Sequence, residues 1–452
     1  MDYKELFSKT PPTRLFFRAA LPGCAGMLAS ALYQLIDGIF VGRILGDTAF
    51  AALNLAMPFV IINFALADLI GVGSAVPISV RLGAGEEDKA NNIFTCACLM
   101  IIAAGVLIGG ILFASAPALI SLMGADGTLH EQAVQYLRVY AICSPVTTII
   151  FAVDNYLRIC GKIQGSMILN IFMSILSVVL EFTFLYVFRW GIWGAALATC
   201  SGMIICALIA FYPFIRGRMQ LRFCRPRFSI KMIRQIVSCG APSFLNNIAG
   251  RITSILMNTV LLQMGGERAV SVYGILMFAD GVVQPLLYGL CDSLQPAVGY
   301  NWGAGNLSRV KAIEKRCFLA SAVLALAAAV TIFSFPEMVT RLFMGDTDEA
   351  TMTMAVTALG IFSMTYLTRW FSFATQSFMS AIERPLQASF ISVGTALVFP
   401  VILIAALWGL GLQGLWLNFP LTALLAAILS GVILLLFFKK IRRNKAAGEP
   451  IH

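Results

Sequence analysis

Two acidic residues stand inside long apolar stretches of this sequence. Asp37 lies within the apolar segment 35–40, and Glu181 lies between Leu180 and Phe182. A charged carboxylate buried among such side chains is costly unless it has a partner. A pair of buried acids is therefore suited to bind a cation or to share a proton that it can take up and release. These residues suggest reversible cation binding; the alternative is that structural partners satisfy both acids.

Two hydroxyl residues extend this candidate site. Ser177 precedes Glu181 by four residues, which places both side chains on one face of a helix. Thr199 offers a further oxygen, and hard cations such as Na⁺ favour oxygen ligands. Asp37, Ser177, Glu181 and Thr199 are therefore candidate ligands for either a proton or a sodium ion.

Three further acids fall in apolar stretches, at Asp68, Asp280 and Asp292. Asp280 and Asp292 are separated by about 18 Å along a helix, so they cannot form one site alone. Each of the three is a candidate to attract a cationic compound. Four side chains suit an adaptable apolar cavity, with contact to core or lipid as the alternative: Met57, Met277, Phe278 and Tyr288.

Charged pairs are also predicted within the apolar stretches. Asp154 and Arg158 are four residues apart and are expected to form an ion pair on a helix surface. Arg251 and Arg369 are expected either to pair with acids or to contact an anionic substrate.

The composition indicates which elements must position these side chains. Of the 452 residues, 59% are hydrophobic and 12% are charged, whereas soluble domains carry about 25% charged residues. The apolar residues form long runs, and runs of roughly 20 residues cross a bilayer as helices because lipid offers the backbone no partners. An all-α integral membrane protein is predicted, with twelve spans near 15–40, 51–78, 93–116, 133–156, 166–188, 192–215, 236–262, 270–297, 313–335, 352–380, 386–407 and 413–437.

The basic residues predict the orientation of these spans. Most of the 32 Lys and Arg residues fall in the termini and in alternate loops, which places both termini in the cytoplasm of a cell-membrane protein. The net charge of +10 is attributed to anchoring beside anionic lipid, and no nucleic-acid partner is expected. The eleven cysteines show no paired spacing and fall mostly in apolar runs, so no disulfide framework, metal centre or cofactor is predicted.

The chain repeats itself at an offset of 220 residues. Four features recur at this offset: Pro22 with Pro242, Gly46 with Gly266, Gly83-Ala84-Gly85 with Gly303-Ala304-Gly305, and Gly194 with Gly414. Six spans in each half give parallel repeats about an axis along the membrane normal, an arrangement that suits alternating access. The predicted parts are an N-terminal lobe at 1–215, a basic cytoplasmic linker at 216–234, a C-terminal lobe at 235–438 and a basic tail at 439–452.

Glycines within and after the spans have two predicted roles. The Gly-Ala-Gly turns follow spans on the cytoplasmic side, where glycine permits a positive φ at a helix exit. Gly71, Gly73 and Gly289 are either bending points or sites of close helix packing, and both alternatives stay open.

Several motifs resemble one family. Segment 37–46, Gly71-Val72-Gly73, segment 81–85, segment 194–199 and segment 300–304 are similar in order and spacing to MATE (multidrug and toxic compound extrusion) transporters. The resemblance covers residues 14–437 and is closer to the DinF-like than to the NorM-like branch. It implies a V-shaped pair of six-helix lobes and a proton- or sodium-coupled antiporter that expels organic, often cationic, compounds.

The resemblance also implies roles for individual residues. The family's cation site in the N-terminal lobe corresponds to Asp37, Ser177, Glu181 and Thr199. Ser177 stands where the family has an asparagine, and Glu181 stands where it has an aspartate. These two departures favour protons over Na⁺ as the coupling ion. The equivalent positions in the second half are Met257 and Val401, so the fold does not need these acids. The NorM-like acids of spans 7 and 10 have no counterpart around Gly250 and Phe373, whereas Asp292 matches an acidic position of some multidrug members.

The predicted function is secondary multidrug efflux with small organic substrates, by a chain that acts as a monomer. The alternative within the superfamily is a flippase for lipid or polysaccharide precursors, although twelve spans and several acids favour efflux. An ion channel usually builds its pore from subunits rather than from an internal repeat. The sequence contains no G-x-x-x-x-G-K-[ST], H-E-x-x-H or G-x-S-x-G motif, so ATP-driven transport and enzymatic hydrolysis have no support.

Overall fold

The computed structural model describes residues 3–344 and 348–447, which are almost entirely helical. Apolar runs of this length leave the backbone no alternative in lipid but to satisfy its own hydrogen bonds. The helices of the first half are Glu5–Lys9, Pro12–Phe40, Val41–Leu45, Asp47–Gly83, Glu87–Leu122, Gly127–Thr147, Ile149–Ile159, Ile163–Phe182, Thr183–Val187 and Ile192–Ile215.

The second half repeats this order. Its helices are Ile230–Asp292, Gln295–Gly303, Leu307–Ser334, Pro336–Met344, Glu349–Ser363, Tyr366–Ala381, Pro385–Val393, Gly394–Val398, Phe399–Ala406, Trp408–Leu410 and Gly411–Ala447.

The described residues contain ten helices that are long and apolar enough to cross a membrane, or eleven if the pair Glu349–Ser363 and Tyr366–Ala381, bent by 47°, counts as one. One of the ten, Ile230–Gly303, has 74 residues and would measure about 110 Å as one straight helix. A hydrocarbon core is only about 30 Å thick. Gly266, with φ 65° and ψ −161°, breaks this helix, so it supplies two crossings. Counted in this way, the described residues make twelve crossings, as predicted.

The backbone confirms the repeat at 220 residues. Gly46 (φ 89°) and Gly266 (φ 65°) occupy equivalent breaks between helices, and Gly85 (φ 78°) and Gly305 (φ 72°) occupy equivalent helix exits. A side chain at any of these positions would be strained. The predicted positive φ in the Gly-Ala-Gly turns is thus confirmed for the last glycine of each turn.

Among the described residues, the apolar core that is shared by the two halves lies at one end. The largest cluster includes residues of both halves, among them Phe94, Trp302 and Phe378. A second cluster, around Ala56, belongs to the first half alone, and a third, around Tyr273, belongs to the second half alone. The shared cluster lies at the end that carries the chain's N-terminus, so the lobes are joined there, and each has a core of its own at the opposite end.

Glycines bring the lobes together at the joined end. A Cβ atom added at Gly73 would lie 2.1 Å from the carbonyl oxygen of Ile236, and one added at Gly289 would lie 2.6 Å from that of Gly23. Atoms cannot approach so closely, so only glycine permits these contacts. Close packing, one of the two predicted roles, is therefore confirmed at Gly73 and Gly289.

The connection between the halves is attached to the first half. The backbone N–H of Arg222 donates to Oδ1 of Asn91 at 2.8 Å, and that of Arg227 donates to Oδ1 of Asn92 at 2.8 Å. Helix Ile230–Asp292 begins inside the predicted linker, and the predicted tail is helical up to Ala447. The last five residues of that tail lie outside the described residues.

Candidate functional site

Asp37 and Glu181 are buried in the first half. The exposed fraction is 8% for Asp37 and 0% for Glu181. Asp37 lies in helix Pro12–Phe40 and Glu181 in helix Ile163–Phe182, and the two helices pack against each other. The structure therefore brings together the two acids that the sequence placed 144 residues apart.

The two carboxyl groups interact directly, and three of their four oxygens have no other hydrogen-bond partner among the described residues. Oδ1 of Asp37 and both carboxyl oxygens of Glu181 are buried and accept no hydrogen bond from any of these residues. The two groups are close enough to interact directly. Two ionised carboxylates can only repel each other, whereas a single shared proton provides the missing donor. The geometry therefore suits the binding of a proton or a cation between them.

Hydroxyl groups lie on the neighbouring turns of the same helices. The hydroxyl of Tyr33 lies 2.6 Å from Oγ1 of Thr199, and Tyr33 precedes Asp37 by four residues, on the same helix face. Ser177 is buried with 1% exposure. A Cβ atom added at Gly202 would lie 2.4 Å from Oγ of Ser177, so glycine at position 202 allows this close approach.

The four predicted cation-site residues thus come from three helices that meet. The sequence analysis missed Tyr33 and Gly202. The i, i+4 spacing from Asp37 is a signal that identifies Tyr33. Gly202 has no comparable signal, because its role depends on a contact between two helices.

Both acids stand just before a local widening of their helix. The π-helical turn Val41–Leu45 follows Asp37, and the π-helical turn Thr183–Val187 follows Glu181. The two turns are in contact, and the rings of Phe40 and Phe182 lie 6.4 Å apart beside them. Such turns are rare and are often found at functional sites, although π-helical turns also occur at Glu5–Lys9 and at Gly394–Val398.

The equivalent positions in the second half hold no acid. Met257 is buried in the second-half core with 1% exposure, and Val401 is 38% exposed. Neither position requires a carboxylate for packing, so Asp37 and Glu181 are not needed for the fold that the two halves share.

A second group of acids lies where the two lobes meet. Asp292 accepts hydrogen bonds from Nε2 of Gln295 at 2.8 Å and from Oγ of Ser377 at 2.9 Å. Asp68 interacts electrostatically with both Asp292 and Asp154. One acid from each lobe therefore lies in this region, where Arg158 also interacts with Asp292, a proximity that the sequence does not reveal.

The Asp154–Arg158 ion pair forms, but its predicted place on the helix surface is wrong. The side chain of Arg158 is 5% exposed and that of Asp154 is 14% exposed. Asp154 also accepts a hydrogen bond from Nδ2 of Asn170 at 2.9 Å, and Nε of Arg158 donates to Oγ of Ser166 at 3.1 Å. The pair is buried because helix Ile163–Phe182 packs over it.

Asp280 already has a cationic partner. Its Oδ1 accepts hydrogen bonds from Nη1 of Arg369 at 2.7 Å and from the hydroxyl of Tyr366 at 2.9 Å. Arg369 thus pairs with an acid, one of its two predicted roles. This pairing leaves Asp280 less available to a cationic compound than Asp68 or Asp292.

The predicted apolar lining does not form one surface. Tyr288 lies one turn from Asp292; its hydroxyl accepts from Nδ2 of Asn246 at 3.0 Å, and its ring meets Phe373 at 4.6 Å. Phe278 and Met277 lie about 15 Å from Tyr288 along the same helix. Met57 lies in the first half, where its sulfur is 4.0 Å from the hydroxyl of Tyr136. Of the four residues, Tyr288 is therefore the one that lies beside Asp292.

Comparison with known proteins identifies the family. The family model MatE matches this chain twice, over residues 22–183 and 242–405. The chain belongs to the MATE family. The two matches begin 220 residues apart, at the offset of the internal repeat, and this multi-pass membrane protein is a transporter rather than an enzyme.

Relatives of the MATE chain cover almost its whole length. The multidrug export protein MepA of Staphylococcus aureus (strain N315) is 25% identical over 410 residues, which cover 89% of this chain and 90% of MepA. A crystal structure of MATE in the bent conformation has a TM-score of 0.91 and 24% identity, over 98% of this chain and 99% of that one. An outward-facing multidrug resistance MATE family transporter has a TM-score of 0.89 and 24% identity, over 95% and 96%. These structures show the two-lobed fold.

Proposed function

We propose that this MATE protein exports organic cations across the cell membrane in exchange for protons. The observation on which this proposal depends is the buried pair Asp37 and Glu181, three of whose four oxygens have no other hydrogen-bond partner among the described residues. A site of this kind binds a small cation in one conformation and releases it in another. The name of the MepA relative, a multidrug export protein, supports small organic compounds as substrates.

The available ligands favour a proton over a sodium ion. Sodium needs several oxygens around one point, but Thr199 already shares a hydrogen bond with Tyr33. Ser177 replaces the amide that the family resemblance implies. A proton needs only the two facing carboxyl groups, and these are present.

The joined lobes suggest how binding is coupled to transport. With both termini in the cytoplasm, as the basic residues predict, the joined end is the cytoplasmic end and the end at which the lobes have separate cores faces outward. Substrate would bind between the lobes beside Asp68 and Asp292. Protonation of Asp37 and Glu181 would favour one conformation, and by reciprocity each ligand opposes the other. One chain contains both sites, so a monomer is sufficient.

Transport in liposomes tests this function. Purified protein in vesicles loaded with ethidium, a permanently charged dye, is expected to move the dye when a proton gradient is imposed and to stop when an ionophore collapses that gradient. Under a sodium gradient at constant pH, dye flux is expected to be no faster than in vesicles without protein. Absence of flux under both gradients would contradict the antiporter proposal, and flux under the sodium gradient alone would contradict proton coupling.

Asp292→Asn is expected to weaken transport of cations selectively. Removal of its charge should raise KM about tenfold for a cationic dye and leave KM for a neutral dye of similar size unchanged, because apolar contacts remain. Asp126→Asn is the matched control, since Asp126 is exposed and lies outside the junction. Equal losses for cationic and neutral dyes would remove the proposed charge role of Asp292.

A further inference from the structure

Several side chains ahead of the first span are buried, although segments near chain ends are usually exposed and poorly held. We name residues 3–13 the N-terminal strap. The exposed fraction is 2% for Tyr3, 5% for Leu6 and 1% for Phe7. One face of this short segment is therefore buried in the protein core, and its other face is exposed.

The strap is bound to the second half through its backbone. The carbonyl oxygen of Phe7 accepts hydrogen bonds from Nδ2 of Asn301 at 3.0 Å and from Nε of Arg309 at 2.7 Å. Arg309 also donates to the carbonyl oxygen of Thr10 through Nη2. Hydrogen bonds from a charged donor are about twice as strong as neutral ones, so Arg309 is the main polar anchor.

Aromatic contacts reinforce this attachment. The ring of Tyr300 lies 5.8 Å from that of Phe7 and 5.9 Å from that of Tyr3. Further along the strap, Nε of Arg316 donates to Oγ1 of Thr13 at 2.9 Å. The residues that hold the strap come from the end of helix Gln295–Gly303 and the start of helix Leu307–Ser334.

The same strap is bound to the first half. Nζ of Lys4 lies 2.8 Å from Oε1 of Glu87, and the hydroxyl of Tyr3 donates to that oxygen at 3.4 Å. A Cβ atom added at Gly161 would lie 3.2 Å from Cα of Tyr3. The strap also continues directly into helix Pro12–Phe40, so it bridges the two lobes at their joined end.

We infer that the N-terminal strap is a latch that holds the joined end of the MATE protein closed. The inference rests on the alternating access of the proposed function, in which this end must open. Opening moves Tyr300, Asn301 and Arg309 away from Glu87 and Gly161, so the strap cannot keep both sets of contacts. Because it is continuous with the first span, it releases the second half, and the strength of the Arg309 and Tyr300 contacts sets the balance between the closed and open forms.

The test measures the distance between the lobes at this end. Ala84→Cys and Ala304→Cys place spin labels on two exposed turns, one in each lobe, in a Cys224→Ser background that removes the exposed native thiol. Double electron–electron resonance in nanodiscs then reports the closed and open populations. Arg309→Gln and Phe7→Ala are each expected to raise the open-to-closed ratio about tenfold.

Two matched variants control for general effects. Lys315→Gln removes an exposed charge from the helix that carries Arg309, and Phe17→Ala removes an exposed ring near the strap; both are expected to leave the distance distribution unchanged. Phe7→Ala tests the latch without altering the helix of Arg309. The latch is overturned if Arg309→Gln and Phe7→Ala give the distribution of the unsubstituted protein and of the controls. The measurement needs neither substrate nor gradient, so its failure is distinct from a failure to transport.

Discussion

Asp37→Asn and Glu181→Gln are each expected to reduce proton-driven export to the flux of protein-free vesicles. An amide has the shape of the carboxyl group but cannot take up or release a proton near neutral pH. Because the two acids act as one unit, the double substitution is expected to be no worse than either single one. The measurement is dye flux under an imposed proton gradient.

The same substitutions are expected to leave folding stability unchanged or raised. The new amide donates a hydrogen bond to the remaining carboxylate, which supplies a donor that the buried oxygens of Asp37 and Glu181 lack among the described residues. Such a bond contributes about 1 kcal/mol. Glu131→Gln is the matched control, since Glu131 is exposed and should affect neither property. If both site variants transport normally, the cation site is assigned wrongly; if both unfold, the acids have a structural role.

Gly83→Ala and Gly303→Ala are expected to force the joined end of the lobes apart. A Cβ atom at Gly83 would lie 1.9 Å from the carbonyl oxygen of Tyr300, and one at Gly303 would lie 2.0 Å from that of Val80. The clashing atoms belong to the backbone, so no side-chain rotation relieves them, and overpacking of this kind costs about 1–3 kcal/mol. The closed form bears this cost and the open form does not.

Native thiols report this opening. Sγ of Cys24 donates to the carbonyl oxygen of Leu286 across the junction at 3.3 Å, and Cys239 is buried beside Gly240, where the lobes meet. Labelling of Cys24 and Cys239 by a small maleimide, measured by peptide mass spectrometry, is expected to become about tenfold faster in either alanine variant. Cys200 lies in the core of the first half alone, and its labelling should not change.

Gly110→Ala is the control for the glycine substitutions. A Cβ atom at Gly110 meets no atom within 4 Å, so alanine there should leave the labelling rates unchanged. Unchanged labelling of Cys24 in Gly83→Ala would show that the closed form accommodates the methyl group and that the contact does not control opening. Faster labelling of Cys200 as well would indicate general unfolding instead.

Much of the fold was predictable because it depends on order along the chain. Apolar runs long enough to cross a bilayer predict helices without reference to any neighbour. The repeat was visible because glycine is favoured wherever φ is positive, and φ is positive at the equivalent positions Gly46 and Gly266. Breaks such as Gly266, which divides one 74-residue helix into two crossings, were predictable for the same reason.

The candidate site was predictable in part. Asp37 and Glu181 stood out because a buried acid is costly wherever it falls in an apolar run, and Ser177 followed from helical spacing. The family resemblance, rather than spacing, placed these residues and Thr199 in one site. Asp280 was a candidate on the same grounds as Asp292, and the sequence could not show that Arg369 neutralises it.

The tertiary structure decided which helices meet, and with that which candidates share a place. Helical periodicity identifies the faces of one helix but not the neighbour that each face contacts. Contacts between segments far apart in sequence account for four features. These are the direct interaction of Asp37 with Glu181, the approach of Asp68 to Asp292, the burial of the Asp154–Arg158 pair and the bridge formed by the strap. The sequence by itself determined a doubled membrane protein with acids inside its spans, of which the pair Asp37 and Glu181 has no counterpart in the second half, because these properties belong to single segments. Only the folded chain, by joining the lobes at one end, brought Asp68 near Asp292 and placed the N-terminal strap in contact with both lobes.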